Sequence, residues 1–425
     1  MKKYAISLLT SLLFWTGSAT AQEFNDYFAD ETLRLDYIFS GTVQEQEIAV
    51  DELSRMPRWY GKRKRLADVP VEGNGEIIVS DRRTGTVIYK NSFSTLFQEW
   101  LSYDEASTTR RAFENVFLVP MPKDTADITV VLRNNRRETM VSSTHMVVPT
   151  DILIRKIGYE HVTPYETVWQ AEDTTRCIHI AYIAEGYQEN EMETFMKDVE
   201  TAQEAMFTHE PFASKKGRFN VVAVKAPSVD SGTSEPRNGQ WKRTALSSHF
   251  DTFYSDRYLT TLHLKDMHDW LAGTPYEHII VLVNTEKYGG GGILNSYNLA
   301  MAHHRQFKPV VVHEFGHSFA GLGDEYAYDF EAIPMYPHDV EPWEPNLTTL
   351  VDFDHKWKDL TDGNTSIDKE NGAASPAVGL YEGAGYSLKG VYRPSQDCRM
   401  RTNNHPEFCP VCQRSISRLI DFYTD

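Results

Sequence analysis

Early in the chain, apolar and polar positions alternate with a period of two. Leu33-Arg-Leu-Asp-Tyr-Ile-Phe39 is the clearest case, and a strand sends such positions to opposite faces of a sheet. Residues 76–80 and 86–90 repeat the pattern on either side of Asp81-Arg-Arg-Thr-Gly85, a short glycine-containing hairpin loop. Residues 116–119, 128–133 and 146–148 continue the series, interrupted by one helical segment near residues 94–102. Short strands at this spacing predict an antiparallel β-sandwich over residues 22–155. Nothing in that half has catalytic spacing.

From residue 156 to 425 the pattern changes. Residues 177–183 read as a buried strand, and residues 189–204 as a helix with Met192, Phe195, Met196, Val199 and Ala202 on one face. Further strands are predicted at residues 218–225, 278–283 and 294–302, with the glycines of residues 289–292 as a loop between the last two. Strands alternating with helices predict a separate α/β domain, so the fold class is α+β with two domains. No internal repeat is visible. Lys2 and Lys3, the apolar residues 5–14 and Ala19-Thr20-Ala21 have the three parts of a secretory signal peptide over residues 1–21. The expected location is therefore periplasmic, cell-surface or extracellular, with no transmembrane segment in the mature chain.

Composition narrows the function. The chain has 425 residues, 41% of them hydrophobic and 24% charged, with a net charge of −17. It can bury a core, and its acidity disfavours nucleic-acid partners, which are bound by neutralising phosphates. Of the four cysteines, Cys398, Cys409 and Cys412 cluster while Cys177 stands apart. Export permits disulfides, and a bond from Cys398 to Cys409 or Cys412 is expected. A redox pair, or a structural zinc site shared with His405, are the alternatives.

The chemistry concentrates on one predicted helix. Val311-Val-His313-Glu314-Phe-Gly-His317-Ser-Phe-Ala320 contains His-Glu-x-x-His. His313 and His317 leave the same helical face and can share one Zn2+ at about 2.0–2.1 Å each. Glu314 falls beside that ion, where a carboxylate takes a proton from metal-bound water. Gly321-Leu-Gly323 ends the helix and Asp324-Glu325-Tyr326 follows. The third ligand must arrive from another direction. Asp324, returned by the glycine turn, is the first choice, with Glu325 and a remote residue such as His405 as alternatives. Tyr386 and Tyr392 are candidate phenol donors to a developing oxyanion. Gly290, Gly291 and Gly292 are candidates for binding a peptide as an added strand. Asp352, Asp354 and Asp362-Gly-Asn364 are candidate Ca2+ donors, without EF-hand spacing.

These residues carry a resemblance. The helix and its glycine turn resemble the metzincin zinc peptidases, although the turn is one residue longer and Gly323 stands where those enzymes place His or Asp. Arg393-Pro-Ser-Gln-Asp-Cys398-Arg-Met400 resembles their Met-turn, whose methionine (here Met400) lies beneath the metal. His313-Glu-Phe-Gly-His-Ser-Phe-Ala-Gly-Leu-Gly-Asp-Glu-Tyr326 resembles the signature of the IgA-peptidase family of secreted bacterial metallopeptidases. Gly379-Leu-Tyr-Glu-Gly-Ala384, Gly390-Val-Tyr-Arg-Pro394, Cys398-Arg-Met400 and Phe408-Cys-Pro-Val-Cys412 are similar to that family too. The resemblance implies a zinc endopeptidase with an N-terminal β domain, acting on a protein or peptide substrate such as a host glycoprotein. It does not carry over immunoglobulin A itself. The rival reading is a non-enzymatic surface adhesin or glycan-binding protein with a structural metal. An intact Glu314, dispensable for merely holding zinc, speaks against it.

Overall fold

In the computed structural model, residues 23–327, 336–361, 367–368 and 378–425 are described. The predicted signal segment and the candidate calcium donors at 362–364 lie outside them. The N-terminal half, after a short α1 (Phe24–Tyr27), builds two four-stranded sheets. One has the order β5 (Arg111–Pro122), β1 (Phe28–Gly41), β2 (Gln46–Pro57), β8 (Arg155–Lys156). The other has the order β4 (Val87–Phe93), β3 (Gly75–Asp81), β6 (Ala126–Arg133), β7 (Thr139–Val147). All pairs are antiparallel except β2 with β8. The helix α2 (Leu96–Trp100) starts at Thr95, whose side chain caps the Gln98 N–H.

The second half is built on a six-stranded mixed sheet. Its order is β13 (Gly290–Ile293), β14 (Tyr297–Met301), β12 (His278–Val283), β10 (Ile178–Glu185), β11 (Phe219–Val224), β9 (Tyr165–Trp169). The four inner strands are parallel and buried, and the two edge strands run antiparallel. α3 (Met192–Met206), α5 (Phe307–Ala320) and α6 (Pro410–Thr424) cover one face together with Met400 and Phe408. A small sheet of β15 (Ile367–Asp368), β16 (Leu380–Ala384) and β17 (Ser387–Arg393) follows α5. Among the described residues no helix is long and apolar enough to cross a membrane.

Two expectations need correction. The predicted loop of glycines is the edge strand β13, with Gly291 opposite Leu299. Glycine is rare in strands, but here α5 lies against it: a Cβ on Gly292 would stand 2.5 Å from the Glu314 carbonyl oxygen. The second correction concerns separateness. The sheets of the two halves are distinct, yet one apolar cluster runs from Leu35, Phe39 and Phe117 to Val222, Val281 and Leu299. The alternation along β1 explains the polar part of this junction. Arg34 and Asp36 are buried rather than solvated: Arg34 pairs with Asp36 at 2.7 Å and reaches Asp269 on α4 (Leu264–Trp270) at 2.5 Å. The polar face of that strand thus meets the second domain instead of water.

Candidate functional site

The site begins on α5, where most residues are buried in the core and His313, Glu314 and His317 are only half-buried. Each imidazole is held by its Nδ1. His313 donates to the Arg399 carbonyl at 3.0 Å and His317 to the Leu322 carbonyl at 2.5 Å. With a carbonyl as partner, Nδ1 must carry a proton, so in the neutral ring Nε2 presents the lone pair. The two Nε2 atoms lie 3.0 Å apart.

Gly321 closes α5 in the left-handed conformation (φ +59°) and turns the chain back. Asp324 thereby brings Oδ1 to 3.1 Å from His313 Nε2 and 3.3 Å from His317 Nε2. That oxygen is buried and has no hydrogen-bond partner. Tyr386 donates its phenol to the other oxygen, Oδ2. Burial alone would lower the His317 pKa, but the Asp324 carboxylate outweighs it and pushes it up to about 9. Burial is likewise overcome at Asp324, which His317 and His313 hold well below the usual carboxylate range. Glu314 behaves oppositely: burial raises its pKa despite both histidines. Its carboxylate rests against β13, where a Cβ on Gly290 would come within 2.6 Å of Oε1.

Met400 is fully buried beneath α5, and a Cβ on Gly316 would meet its Sδ at 2.8 Å. The structure therefore gathers His313, Glu314, His317, Asp324, Tyr386, Met400 and the β13 glycines at one place. It does not bring in Tyr392, which pairs through its backbone with Thr348 and packs on the helical core. The two alternative ligands go elsewhere. His405 bonds the Glu407 carbonyl at 2.7 Å, and the Glu325 carboxylate joins Cys398, Cys409 and Cys412 in a second converging group. The expected disulfide is absent: Cys398 Sγ and Cys412 Sγ are 3.9 Å apart, far beyond the roughly 2.05 Å of a bond, and all four cysteines are free. Of the candidate calcium donors, the described Asp352 engages His355 and Asp354 engages Lys358.

Sequence reasoning missed what borders the site. The Leu259 N–H donates to the Gly290 carbonyl at 3.3 Å, so the β13 edge is already paired there and is not open along its whole length. The Tyr258 phenol donates at 2.6 Å to Glu99 of the N-terminal half. Burial pushes the Glu99 carboxyl up to about 7, with Asp324 adding to the rise and the Tyr258 hydrogen bond opposing it. Nothing local in the sequence marks Glu99, because its neighbours arrive from the other domain.

Two family models match the sequence. A family model described as IgA Peptidase M64 matches residues 167–371 and 365–420. A second, described as Peptidase M64 N-terminus, matches residues 23–143. Comparison with curated proteins finds no match.

Proposed function

The chain belongs to the IgA Peptidase M64 family, and from that premise we propose that it is an exported, zinc-dependent endopeptidase of metzincin-like design. The supporting observation is the convergence of two Nε2 lone pairs and the unpartnered Asp324 Oδ1 within 3.0–3.3 Å of one another. Two neutral imidazoles at that separation set lone pair against lone pair, which a proton or a metal cation between them relieves. Tetrahedral ligands at about 2.0–2.1 Å from zinc stand about 3.3 Å apart. Two imidazoles and a carboxylate are also a donor set that zinc accepts, with a fourth position left open. His313, His317 and Asp324 would hold the ion, and when bound it would acidify a water and polarise the scissile carbonyl.

The remaining work falls to this chain's own side chains. Glu314 takes the proton of the attacking water on its carboxylate and returns it to the leaving nitrogen. Its burial-raised pKa suits a group that must hold a proton between those steps. Tyr386 steadies Asp324 through Oδ2. Gly290 keeps β13 against Glu314, and a substrate strand would align along the part of that edge not covered by Leu259. Being a peptidase, the protein has a protein or peptide as substrate. The proposal of export rests on residues 1–21.

The test is cleavage of an unfolded protein with bound zinc measured in parallel. Parent enzyme should cleave, lose activity to a chelator and regain it with zinc. Cleavage that a chelator does not touch would refute the zinc-dependent mechanism.

A further inference from the structure

We propose that Cys398, Cys409, Cys412 and Glu325 form a second metal site, distinct from the His313 cluster, which takes one structural zinc ion through three thiolates and a carboxylate. The inference is independent of the proposed hydrolysis, because it needs no open coordination position and no substrate.

The geometry supports it first. Cys398 Sγ stands 3.9 Å from Cys412 Sγ, and Glu325 Oε1 stands 3.2 Å from Cys412 Sγ and 3.8 Å from Cys409 Sγ. Tetrahedral zinc with sulfur at about 2.3 Å and oxygen at about 2.0–2.2 Å separates two sulfurs by about 3.8 Å and a sulfur from an oxygen by about 3.5 Å. The spacing is too long for a disulfide and matches four ligands around one ion.

Burial supports it second. Glu325, Cys398 and Cys412 are 0% exposed and Cys409 is 3% exposed. Glu325 Oε2 has no hydrogen-bond partner, although a buried polar atom is nearly always satisfied. Its other oxygen accepts from Asn346 Nδ2 at 2.9 Å. An ion among the sulfurs would account for a fully buried carboxylate placed against three thiols.

The surroundings also suit thiolates. The N–H groups of Cys409 and Met400 point at Cys398 Sγ, at 3.1 and 3.4 Å. Cys409 is the residue before α6 and Cys412 lies in its first turn, at the positive end of a fifteen-residue helix. Thiolates select zinc over calcium or magnesium. Four protein ligands with no exposed face describe a structural site rather than a catalytic one.

Such an ion would join three segments of the chain. One is the turn carrying Asp324 and Glu325, the second is the Met400 loop, and the third is the start of α6. The Glu325 N–H already donates to the Met400 carbonyl at 2.9 Å, so the site would fix Met400 and the residue next to Asp324 together.

The experiment counts zinc on purified full-length chain and reads cobalt-substituted protein by absorption. Two zinc ions per parent chain are expected, one after His317→Ala, one after Cys412→Ser and none in the double variant. The cobalt protein should show a thiolate-to-cobalt charge-transfer band that survives His317→Ala and disappears in Cys412→Ser. If Cys412→Ser does not fold, the band in the parent and its shift in Glu325→Gln decide. One zinc per parent chain, a cobalt protein without that band, or a mapped disulfide joining Cys398 to Cys409 or Cys412 overturns the second site. None of these bears on whether Glu314→Gln still cleaves peptide, so the two readings fail separately.

Discussion

Asp324 and Glu325 are neighbours in the chain, yet their carboxylates end in different clusters with opposite characters. Asp324 joins two half-buried imidazoles, where the third side of the triangle is supplied from beyond a glycine turn. Glu325 joins three sulfurs in the dry core beneath the same helix. Nitrogen and oxygen ligands with an open side suit an ion that must bind and release substrate, whereas thiolates sealed on all sides suit one that never exchanges. One backbone turn thus serves a proposed chemical site on one side and a proposed clamp on the other. The difference is decided by access and ligand softness, not by sequence distance.

The sharpest way to break this contrast is Glu314→Gln. The amide keeps shape but cannot accept the proton, so hydrolysis should fall by about 10²–10⁴-fold, while both clusters keep their metal. Rates are read on an unstructured protein and zinc is counted in the same preparation. Unchanged cleavage would remove Glu314 from the mechanism and leave the first cluster as merely another metal holder.

The second test is Gly290→Ala. The new Cβ would stand 2.6 Å from Glu314 Oε1 and 3.0 Å from Val310 Cγ1; the far end of the glutamate can swing away, and the valine need give by only a few tenths of an ångström. Stability should therefore change little. The displaced carboxylate should cost about 10²-fold in rate, the scale expected of a reacting group misplaced by about 1 Å. If melting temperature and rate fall together, β13 acts as a packing strand and not as a wall of the site.

How much of this was legible in the sequence follows the range of each interaction. His313 and His317 lie one helical turn apart, so their shared face could be read locally, and the glycine turn made Asp324 accessible to the same reasoning. Met400 was legible through its neighbours in the motif. The destination of Glu325 was not, because its partners lie on the Met400 loop and α6, and a lone carboxylate carries no mark of sulfur neighbours. Glu99 and Tyr258 were invisible for the same reason. The alternation in β1 was read correctly as a strand, but period alone could not say that Arg34 and Asp36 face α4 of the other domain rather than water. The glycines of β13 were read as a loop because propensity disfavours glycine in strands; closeness to α5 reversed that preference.

A smaller effect separates the two sides of Asp324. Tyr386→Phe removes the phenol donated to Asp324 Oδ2 and leaves the sulfur cluster untouched. Support of this kind behind a ligand is worth about 10–100-fold in metal affinity. Zinc retention against a graded chelator should therefore show one ion released earlier than in the parent and the other unchanged. Early release of both ions would mean that the clusters are coupled through the turn they share.

The smallest expected effect tests that coupling from beneath the helix. A Cβ on Gly316 would meet Met400 Sδ at 2.8 Å and Leu322 and Phe408 at 3.4 Å. Met400 and Phe408 each lie beside a cysteine of the proposed second site, while Gly316 itself stands one residue before His317. An alanine there gains about 1 kcal/mol of helix propensity but overfills a core that charges about 1–3 kcal/mol for an added methyl. The net should be a loss of about 0–2 kcal/mol, read as a fall of at most about 8 °C in melting temperature. If the open cluster and the closed one are independent, both ions stay bound in Gly316→Ala. If Met400 is what transmits the position of one cluster to the other, a zinc ion is lost at a temperature where the fold is still intact, and melting followed by zinc release will show the two transitions apart.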